Sequence, residues 1–157
     1  LTAPLPREPG FPACFEAALA RLRFAAESAY AEDDAATEPE RLAAALRAVF
    51  EFASRNPSAA WLLTGGALAH GPYGNARYQE LLGAAAGVLA SLRAERPEAA
   101  SLPAMTECAL LGGLATLLAR RLQAGAAEEL QVLAPEAIEF VLTPYLGALE
   151  ARRLAGE

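Results

Sequence analysis

The sequence has 157 residues, 54% of them hydrophobic and 20% charged, with a formal net charge of −6, enough for one domain with its own core. It holds 40 Ala and 26 Leu against only 11 Val, Ile and Thr together, which predicts an all-α fold and excludes sheet architectures, since a pleated face needs β-branched residues. There is no Lys, and 13 Arg face 17 Glu and 2 Asp, a balance unsuited to displacing counterions from DNA, so the chain by itself is not expected to bind nucleic acid.

In chain order, residues 1–11 read as a Pro-rich leader and 12–157 as one helical domain of about six helices. The first helix runs from Pro12 to about Glu32, with Phe15, Leu19, Leu22, Ala26 and Tyr30 on one face. Thr37, with Glu40 three residues on, forms a capping box that opens a second helix over about 38–55, burying Leu42, Leu46, Val49, Phe50 and Ala53. Asn56-Pro57 repeats the cap-plus-proline signal before a short third helix carrying Ala60, Trp61, Leu63 and Leu68. A fourth, about 73–95, stripes Tyr78, Leu81, Leu82, Ala85, Val88, Leu89 and Leu92, and Pro97 ends it. The fifth spans about 103–124 and stops at Gly125. The sixth starts after Ala134-Pro135, with Pro144 expected to kink or split it.

Most catalytic constellations fail on inventory. His70 is the only histidine, so no multi-His metal site can be assembled, and the two Asp residues sit side by side in a linker. Gly65-Gly66 and Gly112-Gly113 lack the Lys-Ser/Thr of a phosphate loop. Cys14 and Cys108 are 94 positions apart and read as reduced, cytosolic core thiols. No enzyme activity, metal or cofactor is expected. The longest stretch without a charged residue, 56–76, contains two prolines and four glycines, so no membrane span is expected. A start at Leu1 without a basic, then apolar, leader predicts no signal peptide, and a first residue other than Met is expected to lie inside a longer product.

Two features remain. Trp61, His70, Tyr73 and Tyr78 cluster within 18 residues, with Phe50 on the preceding helix. Apolar walls with a few polar tips make pockets for organic molecules, so these five residues either border a ligand cavity or fill the core between crossing helices. On the fifth helix, Gly112-Gly113 costs about 1 kcal/mol per glycine relative to Ala, a cost that close approach of another helix would offset. Leu110, Leu114, Leu117 and Arg121 form one stripe there, and Leu111, Leu118 and Leu122 a second, so a partner subunit is expected to cover one side.

Asn56-Pro57, Leu110-Leu111-Gly112-Gly113, Ala119-Arg120-Arg121-Leu122-Gln123-Ala124-Gly125 and Leu142-Thr143-Pro144-Tyr145-Leu146-Gly147 occur in that order. Together they resemble the ligand-binding and dimerisation region of tetracycline-repressor-like (TetR) transcriptional regulators, over about residues 13–155. Ala13-Cys14-Phe15 resembles the start of the helix that leaves the family's DNA-reading head, whereas the Pro-rich leader does not match the helix-turn-helix that stands there in the family. The resemblance implies a homodimer in which the last two long helices form a four-helix bundle with their twofold copies. Its interface would use Leu110, Gly112, Gly113, Leu114, Leu117, Arg121, Ile138, Val141, Leu142 and Tyr145. It also implies a pocket for a small apolar or aromatic effector among the first five helices, and DNA binding only through a head not present in this chain. The alternative is a helical module that dimerises without any small ligand.

Overall fold

The computed structural model describes residues 10–156, and those residues form helices and turns with no strand among them. The helices are α1 (Phe11–Ala31), α2 (Glu38–Arg55), α3 (Pro57–Leu63), α4 (Gly65–Ala69), α5 (Gly71–Glu95), α6 (Thr106–Gln123), α7 (Glu129–Leu146) and α8 (Ala148–Ala155), with a 3-10 turn at Pro97–Ser101. The leader expected at 1–11 lies outside the described residues as far as residue 9. Among the described residues no helix is long and apolar enough to cross a membrane.

Among the described residues eight α-helices stand where six were expected, and local chemistry explains the differences. The expected third helix breaks at Thr64 (φ −122°, ψ −101°), because the Trp61 ring lies against the next turn. A Cβ on Gly65 would stand 2.2 Å from that ring, so only glycine lets α4 fold back so closely. Asn56 does not cap α3 with its side chain. Its amide instead donates to the Phe52 carbonyl at 3.1 Å and accepts from Arg21, tying α1 to the end of α2. The Thr37–Glu40 capping box does form, with the Thr37 N–H donating to Glu40 Oε2 at 2.8 Å.

The last long helix starts earlier than Pro135, at Glu129, and runs through both prolines. Pro135 forfeits its bond to the carbonyl of Gln131, an exposed residue where water can replace it. The break falls not at Pro144 but at Gly147, whose φ of 81° and ψ of 161° turn the chain into α8.

Helix α2 is the centre of the fold, packed on α1 along one side and on α7 along another, while α8 returns against α7. Phe50, Leu130, Ile138, Val141 and Leu142 are fully enclosed in the larger of two hydrophobic clusters. The smaller cluster gathers Phe15, Leu19, Phe52, Leu63, Ala67 and Tyr78 around α1, α3 and α5.

One polar network ties α5, α6 and α7 together. The buried Glu107 carboxylate accepts from Arg93 Nε and Nη2, both at 2.9 Å, and from the Tyr145 hydroxyl at 3.0 Å. Arg93 also donates to the carbonyls of Leu102 and Pro103, at 2.6 and 2.9 Å. These bonds hold the segment before α6 as a turn, which is why α6 begins at Thr106 rather than near residue 103. The Arg93 guanidinium holds the Glu107 carboxyl below its ordinary range. Burial, then the bond to Glu107, raises the Tyr145 phenol.

Candidate ligand cavity

Between the two clusters the packing is incomplete. A cavity of about 330 Å³ is walled by α1, α2, α3, α5 and α6, with Thr64 just after α3. Its large side chains are Leu22, Leu46, Val49, Phe50, Phe52, Leu63, Tyr78, Leu81, Leu82, Leu111, Leu114 and Leu118. The space exists because alanine stands where a longer side chain would fill it: Ala26 on α1, Ala53 on α2, Ala60 on α3, Ala85 on α5 and Ala115 on α6 all line it. No residue of α7 or α8 does. The exposed lining residues Arg23 and Glu27 on α1 and Ala84 and Val88 on α5 place its mouth between those two helices.

Polar atoms on this wall are few. The Thr64 hydroxyl donates to the Ala60 carbonyl at 2.9 Å, which leaves only its lone pairs open. Tyr78 is 8% exposed, and its hydroxyl has no hydrogen-bond partner among the described residues. No fully enclosed side-chain nitrogen or oxygen among those residues lacks a partner, so the Tyr78 oxygen touches open space, and Tyr78 is one of the residues that line the cavity. Burial alone raises its pKa. Arg23 and Glu27 have no counter-charge among the described residues and sit at the rim with opposite signs.

Of the five aromatic candidates, Phe50 and Tyr78 line the cavity and three do not. Trp61 is spent on the α3–α4 fold-back. His70 is exposed, stacked on Phe11 with ring centroids 3.9 Å apart, and its Nδ1 donates to the Gly66 carbonyl at 2.7 Å. Tyr73 meets the same Phe11 ring edge-on at 6.3 Å. The break at Thr64 separates residues that are neighbours in sequence, sending His70 and Tyr73 to the start of α1. The alanines at core-facing helix positions were the sequence signal that would have located the cavity instead.

The α6–α7 surface divides the interface candidates in two. Leu110, Leu114, Ile138, Val141, Leu142 and Tyr145 are buried in this chain's own core, and of the six only Leu114 keeps an edge on the outer groove. Gly113 is exposed, Gly112 and Leu117 are half-buried, and Arg121 is half-buried and paired with Glu129. Outside lies an apolar groove of about 300 Å³ along Gly113, Leu117, Leu133 and Phe140. Phe140 is 53% exposed and Val132 80%. A Cβ on Gly112 would meet nothing within 4 Å, and one on Gly113 only the Phe140 ring, at 4.0 Å. Among the described residues no helix makes the close approach that paired glycines permit. Cys108, expected in the core, is exposed near the start of α6, and Cys14 is half-buried in α1.

Among the described residues no group of three or more His, Cys, Asp or Glu could hold a metal ion. Comparison with known proteins returns no match to a family model, to a curated protein or to a solved structure.

Proposed function

We propose that this chain is the effector-binding and dimerisation domain of a TetR-like transcriptional regulator, a cytoplasmic repressor whose DNA-reading head lies outside this sequence. Its work is binding, not catalysis. The observation that carries the reading is the double duty of α6. Leu111, Leu114, Ala115 and Leu118 wall the apolar cavity, while Gly113 and Leu117 line the outer groove, and Leu114 borders both. A small apolar effector that prefers one arrangement of α1, α5 and α6 would shift the population toward it. With the groove closed by a second copy, that preference becomes a coupling free energy between the effector site and whatever the dimer presents to DNA. The acidic, Lys-free composition fits a domain that leaves phosphate contacts to another part of the protein.

The dimer would rest on the room beside Gly112 and Gly113 and on the exposed Val132 and Phe140, with the interface formed by the exposed Gly113 and Phe140 and the half-buried Gly112, Leu117 and Leu133 rather than by the six buried residues. Sedimentation velocity at micromolar concentration is expected to give a dimer. A Cβ at Gly112 meets nothing within 4 Å among the described residues, so Gly112→Leu should keep its helicity while its dimer dissociates at least about tenfold more readily. A monomeric parent, or a variant whose dimer is as tight as the parent's, would remove the interface from the proposal. A dimer that takes up no apolar compound would favour the module that dimerises without a ligand.

A further inference from the structure

We infer that the cavity takes an uncharged, largely apolar molecule about the size of two fused six-membered rings, carrying one neutral oxygen function that hydrogen-bonds the Tyr78 hydroxyl. The inference rests on the reading of this cavity as a ligand site and gives that site its chemistry.

Three observations lead there. Size comes from volume: a dry apolar cavity of about 150 Å³ takes one benzene, so about 330 Å³ corresponds to about two rings. Neutrality comes from the wall. Inside the mouth the polar side chains are Thr64 and Tyr78, two hydroxyls, and a carboxylate or ammonium buried against hydroxyls alone would lose far more hydration than they return. The charged lining residues, Arg23 and Glu27, are exposed at the rim and oppose each other in sign. The single polar contact comes from Tyr78. Its side chain is more than nine-tenths buried, its hydroxyl finds no partner, and it can donate as well as accept. Thr64 has already committed its proton to Ala60 and can only accept.

Calorimetric titration of the whole chain with naphthalene, 2-naphthol and 2-naphthoate tests this. The parent should bind 2-naphthol about tenfold more tightly than naphthalene, the worth of one hydrogen bond in a site that water has left, and should bind 2-naphthoate most weakly. Tyr78→Phe removes an oxygen without a partner among the described residues, so its helicity and melting temperature should match the parent's. In that variant the preference for 2-naphthol should vanish, while naphthalene binding stays within about twofold. Survival of the preference in Tyr78→Phe overturns the inference and leaves the ligand site standing. So does tightest binding of 2-naphthoate, the more so if Arg23→Gln abolishes it. Failure of all three compounds to bind the parent overturns the ligand-site reading as well.

Discussion

Two halves of one core differ in how completely they are filled. Between α2 and α7, the side chains of Leu130, Ile138, Val141 and Leu142 are fully enclosed, and the turn into α6 is fastened by the Arg93–Glu107–Tyr145 network. Among α1, α3 and α5 the apolar character is the same, yet alanine recurs where leucine would close the gap, and a cavity of about 330 Å³ remains. Hydrophobicity alone therefore does not separate a structural core from a binding site. Side-chain volume at facing positions does, because packed interiors leave few voids larger than a water molecule. A filled half beside a hollow one is the arrangement that the proposed ligand site would need from its scaffold.

The largest expected effect attacks that contrast directly. Leu142→Ala should cost about 2–5 kcal/mol, because the enclosed surroundings of Leu142 can collapse only partly around the space it leaves. Leu82→Ala should cost less, about 1–2 kcal/mol, because this half-buried side chain already lacks neighbours on the side facing the cavity. Guanidinium unfolding of both variants measures the difference. Equal losses would mean that the cavity is closed in solution.

A smaller effect, set by pH, belongs to the filled half. Glu107 has its pKa lowered in the fold by Arg93, so its contribution to stability is full above the ordinary carboxyl value of 4.5 and is lost as pH falls through the lowered one. Tyr145 has its pKa raised by burial and by Glu107, so its contribution is full below the ordinary phenol value of 10.0 and is lost as pH climbs toward the raised one. Stability should therefore hold between those limits and fall on both sides. Glu107→Gln should lower stability at neutral pH by less than Leu142→Ala does, and should flatten the acid side of the profile. Unfolding measured from pH 3 to pH 7 checks it, and an unchanged acid slope would assign the loss to other carboxylates.

The sequence carried the filled half more fully than the hollow one, for a physical reason. Helices declare themselves through local features, as in the Thr37–Glu40 box that starts α2 and the 3.6-residue spacing of Leu42, Leu46, Val49, Phe50 and Ala53. A cavity is an absence produced jointly by Ala53, Ala60, Ala85 and Ala115, which lie on four different helices, and none of them marks it alone. Trp61, His70 and Tyr73 drew attention because they are large and close in sequence, but Trp61 packs on Gly65 and His70 and Tyr73 meet Phe11, so none of them lines the cavity. Burial of Ile138, Val141 and Leu142 within a single chain was equally hidden. A helix apolar on two faces does not announce which face its own chain covers, and α2 and α8 take that face of α7.

The smallest expected effect would turn the hollow half into a filled one. Ala85 lies on α5, half-buried on the cavity wall, at a helix position where leucine is nearly as favourable as alanine. Ala85→Leu adds three carbons on the wall of a space that already exists, so no neighbour has to move and the strain that usually accompanies enlarging a core residue should be absent. Burial of about 0.8 kcal/mol per methylene, reduced by the rotamer freedom the new side chain gives up, leaves a net gain of about 1 kcal/mol. For a chain of this length that is a rise of about 2–4 °C in melting temperature, measurable by scanning calorimetry. The same substitution should weaken naphthalene binding at least about tenfold, since the leucine and the ligand compete for one volume. Higher stability with binding intact would move the ligand elsewhere in the cavity. Lower stability would mean that the wall around Ala85 is tighter than its spacing implies, and that this half of the core is hollow only beyond its reach.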